Sequence, residues 1–286
     1  MHVGTLAGTG EGAPPHRSVR PRPTSSWELI QDLIASFRAP GYWVYGAWLD
    51  ISLRYRSHAL GAFWMIAGTL VFVGVLGSLY SRVLAEGANY YFGHIACGYV
   101  FWILILRALQ TSSRIYSTNR NMIQNGYVNY TDYVLRMFAE LAIILAHNFI
   151  VVVLAMVFTP IPLTWAALAL LFTVPLFFVT VLGSSFLVSI IGARYSDFGE
   201  FLQSVLRLGF FVTPIIWSAE SGKGALIGAF LYLNPFYYLI EIVRAPLIYG
   251  RIPWLEIGAT AVMALIVWTL ASKLYARAKP YIPLWI

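Results

Sequence analysis

Residues 163–191, LTWAALALLFTVPLFFVTVLGSSFLVSII, run without a single charged side chain. A helix rises about 1.5 Å per residue, so this run is longer than the roughly 30 Å hydrocarbon core of a bilayer. In lipid every backbone N–H and C=O needs an internal partner, which leaves a helix as the economical solution. The rest of the chain agrees: 59% of its 286 residues are hydrophobic and 11% are charged, and the mean hydropathy is +0.71. These values describe an all-α, polytopic membrane protein.

Five further runs reach spanning length, at about 59–80, 91–109, 134–158, 201–217 and 254–274. Six transmembrane helices put both termini on one side. With that threading, fourteen Lys and Arg residues fall on the face of the termini and the 110–133 loop, and four on the other. The richer face is expected to be cytoplasmic. The net charge of +7 therefore reads as membrane orientation, and no nucleic-acid partner is expected. The single cysteine, Cys97, lies in an apolar run, so no internal disulfide forms. The first 26 residues lack an apolar segment of signal-peptide type, and no cleaved targeting sequence is expected.

Residues 1–24 are rich in Gly, Pro and Arg and are expected to form a disordered cytosolic tail. The GTGEG at 8–12 follows no strand and lacks the Lys-Ser/Thr of a phosphate loop. Residues 25–57 read as interfacial amphipathic helices. Ser25 and Glu28 form a capping box before a face of Trp27, Ile30, Ile34 and Phe37, and Val44, Trp48, Ile51 and Tyr55 follow at helical spacing. Residues 58–280 are then the transmembrane domain.

The stretch from Arg194 to Gly250 is the least ordinary. Its first half becomes a span ending at Thr213-Pro214; its second half is apolar but broken by Asn234-Pro235 and Pro246. Pieces of about a dozen residues cannot cross alone, so residues 220–250 are expected to form a re-entrant outer helical hairpin before the last span. Glu241 and Arg244, spaced i, i+3, are placed to pair there. The polar loop at 110–133 is either a solvated connector or a docking segment, with Arg120 and Met122 as side chains of the anchoring type.

Catalytic constellations are missing. His58, His94 and His147 are widely separated, with no metal-binding spacing, no nucleophile elbow and no paired carboxylates within one span. Each histidine reads first as a packed or interfacial residue. No ATP-binding motif is present, and ionisable residues at mid-membrane are few. Snorkelling accounts for most of Arg107, Arg136, Glu140 and Arg207, so an energy source on another subunit fits better than an ion gradient. A gradient-driven flippase for lipid-linked sugars, or a membrane-embedded enzyme acting on them, remains as an alternative.

Arg54-Tyr55-Arg56-Ser-His-Ala-Leu60-Gly61-Ala-Phe-Trp64 resembles the approach to the first span in type-2 ATP-binding-cassette permeases that export lipid-linked polysaccharide, including lipopolysaccharide O-antigen. Asn121 to Tyr133 resembles their coupling segment. Ala193-Arg194-Tyr195-Ser196-Asp197 with Thr213-Pro214-Ile215-Ile216, and Asn234-Pro235-Phe236 with Glu241, Arg244 and Gly250, are similar to later elements of that family. Ser196 stands where Arg is common. The resemblance covers about residues 42–280. It implies a non-enzymatic permease, working as a homodimer in the cytoplasmic (inner) membrane. Two copies of a separate ATPase subunit would bind ATP and Mg, leaving no cofactor in this chain, and the cargo would be a polysaccharide on undecaprenyl diphosphate. The implied roles are ATPase coupling for Arg120, Asn121 and Met122, an interfacial access site for Arg54, Tyr55 and Arg56, and an outer gate for Asn234, Pro235, Glu241 and Arg244. Trp64, Phe72, Arg207, Phe210, Phe211 and Trp217 are the candidates for a substrate channel, because aromatic faces stack on sugars and Arg207 suits a diphosphate.

Overall fold

The computed structural model describes residues 27–56, 60–83, 88–126, 128–159, 161, 164–217 and 231–286. The N-terminal tail, the glycine-rich 8–12 stretch, Ser25, and residues 218–230 of the expected hairpin lie outside the described residues. Among those described, every regular element is a helix.

Two helices, α1 (Glu28–Arg38) and α2 (Gly41–Arg56), precede the spans. Then come α3 (Trp64–Val83), α4 (Ala88–Ser112), two short helices α5 (Ile115–Thr118) and α6 (Arg120–Gln124), and α7 (Tyr130–Phe158). They are followed by α8 (Leu170–Arg194), α9 (Phe198–Val212), α10 (Pro235–Arg244), α11 (Trp254–Ala278) and the short α12 (Ile282–Trp285). Five helical segments are long and apolar enough to cross a membrane: 61–80, 90–112, 130–158, 165–194 and 254–278.

The second of these is the axis of the bundle. Its apolar window is 72% buried, against 22–33% for the other four. Those four therefore turn most of their apolar surface outward, as helices solvated by lipid do. A polar pair ties α3 to α7 inside the bundle, where Thr69 Oγ1 donates to Asn148 Oδ1 at 2.5 Å. Asn148 Nδ2 meanwhile donates to the Met65 and Ile144 carbonyls, so a buried amide is satisfied rather than stranded. Near Arg194, α8 comes so close to the end of α4 that a Cβ on Gly192 would stand 1.9 Å from the Ser113 carbonyl oxygen. Only glycine fits there.

Three features differ from the sequence reading. The run at 201–217 forms a 15-residue helix, about 22 Å long and shorter than the hydrocarbon core. It stops at Thr213, whose backbone is extended (ψ 134°), because a residue before proline avoids the helical region. Pro246 does not break its helix: α10 continues into a single wide π turn, Ala245–Tyr249, closed by Gly250 at φ +62°. The wider turn accommodates a proline that has no N–H to give the regular ladder. Arg136 and Glu140 do not snorkel, since both are captured by α2. Arg136 donates to both Asp50 oxygens at 2.8 and 2.6 Å, and Arg54 pairs with Glu140 at 2.5 Å.

The preceding helices are built into the bundle as well. On α1 the face Trp27, Ile34 and Phe37 points outward, while Leu29, Leu33 and Ser36 are buried. Ser36 shares a hydrogen bond with Thr131 of α7 at 2.7 Å. Asp32 accepts from the Tyr275 hydroxyl at 2.6 Å and pairs with Lys279 at 2.7 Å. The start of the chain is thus tied to the far end of the last span. Trp285 of α12 lies over the Arg194 guanidinium at 5.5 Å, and α12 also touches α6. Both described ends therefore lie on one face, where α12 touches α6.

Candidate functional site

At the opposite end of the bundle, α10 carries a buried ion pair. Asn234 caps this helix by accepting from the Phe236 N–H at 3.0 Å, and Pro235 takes the first turn, where a missing donor costs nothing. One turn spacing brings Glu241 and Arg244 together. Arg244 Nη2 and Nε donate to Glu241 Oε2 at 2.6 and 3.1 Å, and the two residues are 1–2% exposed. Arg251 reaches the other Glu241 oxygen at 2.5 Å and lies 3.9 Å from Glu256, which also accepts from the Tyr237 hydroxyl. Two carboxylates thus face two guanidiniums.

The same cluster holds the irregular segment after α9. Arg244 Nη1 donates to the Pro214 carbonyl at 2.5 Å, and Asn234 Nδ2 donates to Thr213 Oγ1 at 2.8 Å. His94 of α4 lies against the Trp217 carbonyl at 3.1 Å. Residues 213–217 have little regular backbone bonding of their own. Side chains from α4 and α10 supply what a helix would have supplied.

Helix α9 presents two open stripes. Glu200, Gln203, Ser204 and Arg207 are all exposed and recur at spacings of three and four. Phe201, Val205, Leu208 and Val212 form the neighbouring apolar stripe. A polar row along a helix this apolar does not face lipid; it faces water or another protein surface. Above it Phe210 enters an aromatic cluster. Its ring meets Phe72, Tyr99 and Trp102 at 6.2, 6.4 and 5.9 Å, and Phe72 stacks on Tyr99 at 3.8 Å. Phe211 is 67% exposed and Trp64 is 52% exposed.

On the face of the termini, a cavity of about 620 Å³ opens between α2, the end of α4, α7 and the base of α9. Arg54, Arg114, Arg136, Asp50 and Glu140 line it, and Gln203 joins it to the polar stripe of α9. Beside it α5 buries Tyr116, whose hydroxyl is pushed up from its usual range by that burial. Arg120, Asn121 and Met122 of α6 stay exposed.

Against known proteins, the ABC-2 type transporter family profile matches residues 44–248. The chain belongs to that family. A search of curated proteins returns no match. As the membrane component of an ABC-2 transporter, the permease has a matched region that includes α9, the 213–217 segment and the whole of α10.

Seen on the permease, the residues singled out from sequence fall into separate places. Asn234, Glu241, Arg244 and Trp217 meet in one cluster, with Pro235 at its edge. Phe72 and Phe210 share the aromatic cluster, while Arg207 and Phe211 point outward from α9 and Trp64 from α3. Arg54 is paired on α2, Tyr55 is half-buried, and Arg56 is exposed. Among the described residues there is no group of three or more metal-ligating side chains. Sequence reasoning missed His94, Tyr249, Arg251 and Glu256 as members of this cluster. The ionisable side chains flanking the break at 246–253 were the available signal.

Proposed function

We propose that the permease is one half of an ATP-driven exporter that moves a polysaccharide, carried on undecaprenyl diphosphate, across the cytoplasmic membrane. The observation that carries this reading is the exposed polar row Glu200–Gln203–Ser204–Arg207 beside the outward Phe211. Two copies facing each other across such rows enclose a wet, aromatic-edged path, which suits a long neutral glycan. Arg207 is suited to the diphosphate by charge-assisted hydrogen bonds. The cavity at the base of α9, with Arg54 near its mouth, is where the charged headgroup gathers first.

The threading supports the same reading. Arg194 and Lys279 both lie on the α1–α6 face, so the chain between Arg194 and Trp254 has to reach the other face. On this reading helix α9 with the irregular 213–217 segment makes that sixth crossing, and the re-entrant outer hairpin expected at 220–250 follows, with α10 as its described part. The fourteen basic residues support putting the shared face, and with it both termini, in the cytoplasm. There α5 and α6 meet an ATPase subunit, which supplies ATP and Mg. Among lipid-linked polymers, O-antigen of a Gram-negative envelope is the proposed cargo, from the resemblance around Thr213-Pro214-Ile215.

Co-expression with the ATPase encoded beside it, followed by reconstitution, tests the reading directly. A stable complex that moves lipid-linked glycan only with ATP supports it. Glycan movement by the permease alone, driven by an ion gradient, overturns it.

A further inference from the structure

The outer cluster contains one ring whose hydrogen bonds cannot all be made at once. His94 is 2% exposed. Its Nδ1 lies 2.5 Å from the Tyr249 hydroxyl. Its Nε2 lies 3.1 Å from the Trp217 carbonyl oxygen and 3.3 Å from Arg244 Nη1. A carbonyl only accepts and a guanidinium only donates, so Nε2 serves one of the two; the ring also faces the Pro214 carbonyl, which already accepts from Arg244 Nη1.

Each neutral tautomer leaves one neighbour unmet. With the proton on Nε2, the ring donates to Trp217 and accepts from Tyr249, but a hydrogen of Arg244 Nη1 faces another N–H. With the proton on Nδ1, the ring donates to the Tyr249 oxygen and accepts from Arg244, and the Trp217 carbonyl loses its hold. The doubly protonated ring offers no escape. It would add a third positive charge to Arg244 and Arg251 against Glu241 and Glu256, the carboxylates of this cluster among the described residues, with the Tyr91 ring stacked at 5.3 Å on another side. The two neutral states differ in whether the segment ending at Trp217 is fastened to α4.

We propose that His94 is the positioning residue of an outer gate: its neutral ring trades the Trp217 carbonyl for the Arg244 guanidinium, which lets residues 213–217 lift from α4 and α10 without leaving Arg244 unmet. In the exchange one proton leaves Nε2 and one arrives at Nδ1. Both pass to and from water admitted as the segment lifts, and the ring stays neutral. Once outside, the Trp217 carbonyl is satisfied by water. This gate rests on the exporter reading above.

Nitrogen-15 NMR of histidine-labelled permease, co-assembled with its ATPase in nanodiscs, reads the tautomer. Subtracting the His94→Gln spectrum isolates His94 from the other four histidines. The Nε2–H form is expected at rest and the Nδ1–H form in the vanadate-trapped complex. In parallel, Ile215→Cys, at a fully buried position of the segment, is probed with an impermeant thiol reagent, against buried Cys97 as background. It is expected to be shielded at rest and labelled when trapped. His94→Gln, whose amide both donates and accepts, retains export. His94→Leu is expected to label at rest and lose export about tenfold, the effect of one unmet buried acceptor. One unchanged tautomer in an active complex overturns the role of His94, even if His94→Leu does not fold. Normal shielding and export in His94→Leu overturn it too. A permease that assembles with no ATPase overturns the exporter reading and the gate with it.

Discussion

Replacing Glu241 with Gln keeps the shape of the side chain and removes only its charge. Arg244 is 1% exposed and donates two of its hydrogen bonds to Glu241, at 2.6 and 3.1 Å. After the change, a buried guanidinium is left facing no anion. Glu256 is the other carboxylate of the cluster, and it lies 3.9 Å from Arg251 rather than beside Arg244. Removing one member of a buried pair costs about 3–5 kcal/mol. Arg251 loses the nearer of its two carboxylates as well, but half of its side chain is exposed, so that loss adds less than about 1 kcal/mol. At about 2–4 °C per kcal/mol for a domain of this size, the melting temperature should fall on the order of 10 °C. Tryptophan fluorescence in nanodiscs follows it, with Glu200→Gln, 80% exposed, as a control that should shift by less than about 3 °C. The double variant Glu241→Leu with Arg244→Met removes both charges and leaves mainly the Pro214 carbonyl unmet, a cost of about 1–3 kcal/mol. It should therefore melt above the single variant. If Glu241→Gln melts with the control, the cluster is wet and the argument fails. A double variant less stable than the single would shift the weight from charge balance to the bonds Arg244 makes with the 213–217 segment.

Three other outcomes are expected. Arg120→Glu should leave the permease folded but uncouple ATP hydrolysis from export, and a complex with unchanged affinity and transport would remove α6 from the docking surface. Cysteines at 207 and 211 should react with a water-soluble thiol reagent and be shielded by cargo, while cysteine at half-buried 210 reacts slowly; inertness of 207 and 211 in an active permease would put α9 against lipid or protein. Gly192→Ala should lose folded yield or about 1–3 kcal/mol of stability, because its Cβ would meet the Ser113 carbonyl; wild-type melting would mean that α8 and α4 separate freely at that point.

The long spans were legible because lipid imposes one rule on them. A run of apolar residues must satisfy its own backbone, so 134–158 and 254–274 reappear inside Tyr130–Phe158 and Trp254–Ala278. The helices overrun those limits at polar ends, as where Asn129 and Asp132 cap α7 with a reciprocal pair of bonds. The i, i+3 spacing of Glu241 and Arg244 was legible for the same local reason. What was not legible depends on distance along the chain. Asp50 meets Arg136 across 86 positions, and Arg244 meets His94 across 150. No spacing rule links such residues, so Arg136 read as a snorkelling side chain and His94 as a packed one. Pro246 misled for a different reason: proline forbids the regular ladder, but a wide π turn tolerates it, and only the packing of 245–249 selects that turn.

The two ends of α9 suggest how the exporter reading would work mechanically. At its base, Gly199 approaches the corner between α4 and α5 so closely that a Cβ would lie 3.0 Å from Ser113 Oγ and 3.1 Å from Arg114 Nε. At its top, Thr213 is held by Asn234 and the following carbonyls by Arg244 and His94. Both points belong to or adjoin one helix of fifteen residues, which moves as a stiff unit because its backbone bonds close among themselves. A push on α5–α6 by a docked ATPase would thus reach Gly199 by direct contact and arrive, about 22 Å away, at a segment fastened by a few side-chain bonds. The weak point of the linkage is therefore the 213–217 attachment. A gate placed there opens by exchanging hydrogen bonds, while the spans keep their packing.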